Sequence, residues 1–371
     1  MRVGVISDWI NGGNYAGIAN YVYHLLKELI NINRESIYLI NYEENESTAE
    51  YNKIIIYNPF KRISKTILWY LYLGTQSNHL KRLDIIHNPT QGSTFFRFKQ
   101  KYILTVHDIT VFIVPKEHPV YRILFGKLLF PRTLKTADKI ITDSNSTKKD
   151  LINYFNIPEE KIKVIFLGVD EKFKPLDKEE INEVKQRYNL NFPFILYVGT
   201  LEPRKNIPTL IKAFYKLKKK NIEHKLVITG KKGWKYKKIF ETIDKLNLQK
   251  NVTFTGYVSD EDLPALYNTA DLFVYPSLYE GFGFPPLEAM ACGTPVITSN
   301  TSSLPEVVGD AGIMVNPYDV DGLADAMHEV LTNDGLREDM IKKGLERAKM
   351  FSWEKCARET LRVYEEVYNE R

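Results

Sequence analysis

The chain has 371 residues, 44% hydrophobic and 26% charged, so a largely disordered polypeptide is excluded and two domains are expected. A net charge of +5 is too small to mark a nucleic-acid binder, and two cysteines, Cys292 and Cys356, exclude a disulfide framework and a Cys-based zinc site. The opening MRVGVISDWI has no apolar stretch behind a basic start and no run approaches ~18 apolar residues, so neither a secretory leader nor a spanning helix is expected and a reducing, cytoplasmic setting is.

In chain order, a first strand at 2–6 runs into Asn11-Gly12-Gly13-Asn14-Tyr15-Ala16-Gly17, and a helix follows from about Ile18. A glycine-rich turn at a helix start offers N–H groups to a phosphate or a sugar. The spacing matches neither the dinucleotide fingerprint nor the P-loop, and a plain strand–helix turn explains it equally well. Short β-branched runs predict further strands at 37–40, 54–56, 85–87, 102–106, 139–142 and 163–165. His107 follows the strand 102–106, at the carboxyl end where parallel sheets place ligands; a satisfied histidine capping the strand is the plainer alternative. Residues 60–137 hold 13 Lys and Arg against 3 Asp and Glu, a local +10, interleaved with Phe60, Trp69, Tyr70, Tyr72, Phe95, Phe96, Phe98, Tyr121, Phe125 and Phe130. Basic residues among aromatics read as a surface for anionic lipid headgroups or a polyanionic substrate, unless the aromatics are core.

The polar stretch 168–191, with Pro175, reads as the linker. A second strand set follows at 194–198, 225–229, 252–255, 272–275, 295–298 and 313–315. Strands alternating with amphipathic stretches, several apolar on both faces, argue for doubly wound parallel sheets. Thr136-Ala137-Asp138 and Thr269-Ala270-Asp271 each end a helix and enter a strand, an echo that suits two similar halves. After the strand 194–198, Arg204-Lys205-Asn206 place two cations before a helix, against its dipole. An anion between them, such as a diphosphate, would account for this; otherwise it is a solvated basic turn.

The densest signal is YPSLYEGFGFPPLEAMACGTP, residues 275–295. Glu280 lies in a glycine-rich loop and Glu288 in the first turns of a helix that Pro285 and Pro286 can start. N–H groups at that start suit a phosphate, and a carboxylate in the helix suits ribose hydroxyls. Asp260-Glu261-Asp262 and Asp319-Val320-Asp321 have the D-x-D form of metal–nucleotide sites, but both fall at helix starts, where Asp is a favoured cap. The last helix, capped by Ser352, lines up Trp353, Ala357, Thr360, Leu361, Tyr364, Val367 and Tyr368 near one face.

Together these residues resemble the retaining, nucleotide-sugar-dependent glycosyltransferases of family four. VGTLEPRKN (198–206), VTFTGYVSDEDLPALYNTADLFVYPS (252–277), EGFGFPPLE (280–288) and ACGTPVITSNTSSLPEVVGDAG (291–312) carry the likeness. Thr200 departs from the family pattern, which has an arginine there; Arg204 is the candidate replacement. The resemblance implies the GT-B fold, two Rossmann-like doubly wound domains facing across a cleft. The acceptor domain is expected at 1–170, with the helix 352–371 packed back on it, and the donor domain at 171–351. It implies that Glu280 holds the donor sugar, with the backbone of Gly281, Phe282, Gly283 and Phe284 on its hydroxyls. Leu287 N–H, Lys205 and Arg204 would meet the diphosphate, Glu288 the ribose, and Tyr257 and Val258 the base. Gly13 would approach the diphosphate and sugar from the first domain, and His107 would line the reacting centre. No metal or other cofactor is expected, because cations and helix N–H groups can stabilise a departing diphosphate. The block most resembles mannosyltransferases of surface-polysaccharide assembly. GDP-mannose is therefore the expected donor, ahead of UDP-glucose, UDP-galactose and UDP-N-acetylglucosamine. A glycan or lipid-linked acceptor is expected, with peripheral contact at the inner face of an anionic membrane. A sugar-nucleotide 2-epimerase of the same fold and a non-catalytic nucleotide-sugar sensor are the alternatives. A dehydrogenase lacks its glycine fingerprint.

Overall fold

The computed structural model describes residues 1–7, 17–41, 52–56, 72–73, 75, 80–91 and 97–370, with backbone alone at 121, 122 and 125. The chain divides into two compact units, residues 1–168 with 352–371, and residues 169–351. The first is a seven-stranded sheet: β1 Val3–Ile6, β2 Ile37–Asn41, β3 Lys53–Ile55, β4 Ile85–Asn88, β5 Lys101–Val106, β6 Lys139–Thr142 and β7 Ile162–Val164. Its order is β3-β2-β1-β4-β5-β6-β7. The second has six: β8 Phe194–Val198, β9 Lys225–Thr229, β10 Val252–Gly256, β11 Leu272–Tyr275, β12 Val296–Ser299 and β13 Ile313–Val315, in the order β10-β9-β8-β11-β12-β13. Among the described residues every strand pairing is parallel. Each expected strand is present, with ends displaced by one residue at most. Strands such as β8 and β11 are buried along their whole length, as helices on both faces require.

The Thr-Ala-Asp echo has a structural cause. Asp138 N donates to Tyr102 O at 2.7 Å while its carboxylate accepts from Tyr102 N at 2.7 Å. Asp271 clips Phe194 the same way, at 3.1 Å in both directions. Asp84, just before β4, does so with Arg2, at 2.9 and 2.6 Å. An aspartate one residue ahead of a strand thus satisfies an otherwise orphaned backbone pair at the start of its neighbour.

Two expectations need correction. Residues 168–191 are not a free linker: Asp177 caps a helix, Lys178–Arg187, that buries Val184 and belongs to the second unit. Its end is tied to Asp262 by Arg187 and by the Tyr188 hydroxyl at 2.8 Å. The junction falls instead at Gly168, where a Cβ would lie 2.3 Å from the Trp353 nitrogen. The last helix, Trp353–Asn369, is capped by Ser352 and packs on the helix Ile18–Asn33, but its buried face is rotated from the expected one. Cys356 and Val363 are buried, whereas Leu361 is half-buried and Tyr368 exposed.

Candidate functional site

In a doubly wound sheet, ligands sit beyond the carboxyl ends of the strands, where the strand order reverses. In the second unit that point lies between β8 and β11, which are neighbours. The loop after β8 brings Glu202, Arg204 and Lys205; the loop after β11 brings Ser277 and Glu280. They form one cluster, buried except for the half-buried Arg204. Glu280 receives Arg204 Nη1 at 2.8 Å and Lys205 Nζ at 2.7 Å on its two oxygens. Ser277 Oγ donates to the Lys205-bound oxygen, and Lys205 also donates to the Tyr275 hydroxyl. Glu202 accepts from Arg204 Nε at 3.2 Å and Nη2 at 2.9 Å, a fork that fixes the guanidinium plane.

Two cations and two carboxylates buried together cancel in charge, which is the condition for keeping them out of water. Burial alone would raise the Glu280 carboxyl; Arg204, Lys205 and Ser277 outweigh it and hold it down to about 2. Burial and the Arg204 charge depress the Lys205 amine, against the pull of Glu280 and Glu202. The reading of Arg204 and Lys205 as a solvated basic turn is therefore overturned. The anion between them in this structure is Glu280, not an external group.

Sequence reasoning missed the hydroxyl frame around this loop. Ser302 Oγ accepts from Glu280 N at 2.8 Å, and Ser303 Oγ donates to Glu280 O at 3.0 Å and Phe282 O at 2.6 Å. Thr301 donates to Leu278 O at 3.1 Å, and Asn206, in the left-handed region, donates to Pro276 O at 3.1 Å. The signal available was the run Asn300-Thr301-Ser302-Ser303 beyond β12, also at the carboxyl edge.

Gly283, with φ 118°, caps the helix Phe284–Ala291. Pro285 and Pro286 occupy its first turn and have no N–H, so Phe284 and Leu287 carry the amide hydrogens there. The expected row of free N–H groups is thus shorter than four. Gly281, Phe282 and Leu287 are buried, and Phe284 is half-buried. Half-buried Glu288 accepts from Tyr267 OH at 2.9 Å; burial pushes its carboxyl up to about 7, partly opposed by Tyr267 and Lys172. Tyr257 is exposed, with Lys231 Nζ 4.1 Å from its ring centre, while Val258 is buried. The two D-x-D strings have structural work. Asp262 binds Arg187 and Tyr188, Asp319 caps the helix Val320–Thr332 through Gly322 N at 2.8 Å, and Asp321 pairs with Lys216.

In the first unit, His107 Nδ1 donates to Asp143 at 2.6 Å and Nε2 to Pro89 O at 2.8 Å. Burial pulls the imidazole down, but the Asp143 charge and both hydrogen bonds raise it above its ordinary value. Both ring nitrogens are therefore engaged. Gly13 lies outside the described residues; of its loop only Gly17 is described, capping the helix Ile18–Asn33. The described aromatics of the basic stretch turn inward: Phe98 and Phe130 are core, and Tyr72 packs against it. Phe60, Trp69, Tyr70, Phe95 and Phe96 lie outside the described residues, as do the side chains of Tyr121 and Phe125.

Two family models account for most of the chain: Glycosyltransferase Family 4 over residues 15–173 and Glycosyl transferases group 1 over residues 177–347. O-antigen chain mannosyltransferase B of Escherichia coli is 39% identical over 267 residues, 71% of this chain and 70% of that one. The chain belongs to glycosyltransferase family 4. This glycosyltransferase is also 31% identical to an uncharacterized glycosyltransferase, MJ1178, of Methanocaldococcus jannaschii, across 95% of both chains. Among solved structures it resembles a sucrose-phosphate synthase from Thermosynechococcus elongatus, with TM-score 0.79 and 22% identity over 100% of both chains, a likeness of GT-B fold alone.

Proposed function

We propose that this glycosyltransferase moves mannose from GDP-mannose to a glycan or lipid-linked acceptor, with retention at the anomeric carbon and without a metal. The observation that carries the donor site is the buried Glu280–Arg204–Lys205 cluster at the switch point of the second sheet. Its charges cancel without ligand, so an entering diphosphate replaces Glu280 as the partner of Arg204 and Lys205. The freed Glu280 carboxylate then accepts hydrogen bonds from sugar hydroxyls. The Gly281–Phe284 backbone lines the sugar, and Leu287 N–H meets the diphosphate. Glu288 takes the ribose, with Tyr257 and Val258 beside the base.

In the reaction, the acceptor oxygen bonds to the anomeric carbon as that carbon's bond to phosphate oxygen breaks. The bonding pair leaves with the diphosphate, and the departing oxygen takes the acceptor's proton. Arg204 and Lys205 stabilise the charge as it develops. Mannose is supported by the Escherichia coli relative, named a mannosyltransferase, and the same name favours transfer over 2-epimerisation or sensing. His107 and Gly13 rest on the resemblance alone. Contact of the first unit with an anionic membrane is part of this reading, on the +10 of residues 60–137; no described helix is long and apolar enough to cross a membrane.

The test is a panel of nucleotide sugars. GDP-mannose should raise the melting temperature most and be consumed only with acceptor present. Activity should survive EDTA. Stabilisation by a UDP-sugar instead overturns the donor, and loss with EDTA reversed by Mg²⁺ or Mn²⁺ overturns the metal-free mechanism.

A further inference from the structure

The helix Val120–Thr136 buries Leu129, Phe130, Thr133 and Leu134, yet leaves three large aliphatic side chains in water. Val120, Leu124 and Leu128 are 70%, 64% and 60% exposed. Their i, i+4, i+8 spacing puts them on one face. At about 100° per residue, the exposed Lys127, Arg132 and Lys135 fall on or beside the same stripe. With Arg122 the helix sequence carries four cations and no Asp or Glu; the flanking acids in the chain are Glu117 and Asp138. Ile113, on the preceding turn, is also exposed. The face is thus apolar toward its start and basic toward its end.

We infer that this face of the helix Val120–Thr136 is the surface by which the first unit lies on an anionic lipid bilayer. The inference rests on the peripheral contact proposed above and names its element. An aliphatic stripe edged with cations matches a membrane interface, where the acyl boundary takes the leucines and headgroups take the charges. A second copy of the chain matches it poorly. Two copies meeting through the same face bring three cations against three, with no acid on the helix to offset them. The helix follows the loop beyond the carboxyl end of β5, which carries His107. A bilayer along its first turns therefore lies near the strand edge where parallel sheets bind ligands, and it presents a lipid-linked acceptor there.

The experiment is co-sedimentation of the full chain with vesicles of phosphatidylglycerol and phosphatidylcholine, or of phosphatidylcholine alone. The wild type should bind the anionic vesicles at low salt, release as salt rises, and ignore the neutral ones. Leu124→Ser with Leu128→Ser, both exposed, should weaken that binding by about tenfold or more. Lys127→Glu with Arg132→Glu should weaken it further at low salt. Transfer to a water-soluble acceptor should be unchanged in both. Wild-type binding that neither double variant reduces overturns the assignment to this helix and leaves peripheral contact standing. No wild-type binding at low salt overturns both. A dimer in solution that Leu124→Ser with Leu128→Ser converts to monomer, with vesicle binding intact, makes the face a self-interface and also overturns the inference.

Discussion

Glu280 is the residue on which the proposed donor site turns. It neutralises two buried cations, and its own amide and carbonyl are held by Ser302 and Ser303. Replacing it with Gln keeps the volume but leaves Arg204 and Lys205 short of a charge. Glu202 and Tyr279 O still hold Arg204, so folding should survive. Glu280→Gln should lower turnover by ~10²-fold or more, and should also lower the melting temperature, because the cations lose a counter-charge. Near-normal turnover would move the sugar site elsewhere. Glu288 gives a pH dependence. Burial lifts its carboxyl from the ordinary 4.5 to about 7, so it is protonated through most of that interval in the folded protein. The stability this confers is complete below 4.5 and lost as pH rises through about 7. Donor binding runs the other way, because the ionised carboxylate is the better acceptor for ribose hydroxyls. The donor KM should therefore fall as pH rises through about 7, and Glu288→Gln should flatten that profile. A wild-type KM equally flat from about pH 6 to 8 would remove Glu288 from the nucleotide site.

The last helix shows why element boundaries were easier to read than element contacts. Ser352 accepts from Lys355 N at 3.0 Å, a cap written in local sequence. Which side chains it buries depends on a partner far away in the chain, the helix Ile18–Asn33, so Cys356 and Val363 displaced Leu361 and Tyr368 from the expected stripe. The same holds for a polar chain no local pattern announces. Tyr364 OH meets His87 Nδ1 at 2.7 Å, His87 Nε2 meets Thr105 Oγ1 at 2.8 Å, and Thr105 meets Tyr21 OH at 3.1 Å. Burial, helped by the charge of His107, lowers His87 to about 3, so it is neutral and needs one donor and one acceptor. Tyr364→Phe should cost the first unit ~1–3 kcal/mol by leaving Nδ1 unsatisfied, read by urea denaturation. An unchanged midpoint would mean the hydroxyl contributes nothing to holding the helix in place.

At the scale of the whole molecule, sequence alone determined the family, the thirteen strands among the described residues and the two Rossmann-like sheets. Strand type and position follow from short β-branched runs and from residues next to one another in the chain. The glycine and proline content of 280–288 marked the loop that carries Glu280 for the same reason: turn chemistry is local. Tertiary structure decided the rest. It showed that the anion facing Arg204 and Lys205 is Glu280, contributed by the loop of another strand. It drew residues 178–187 out of the expected linker by pairing Arg187 with Asp262. It turned Phe98 and Phe130 inward, the core alternative for these two, and left Val120, Leu124 and Leu128 outside. Charge pairing and burial are properties of neighbours in space. A single sequence fixes which residues carry charge and apolar area; only the fold decides which of them meet.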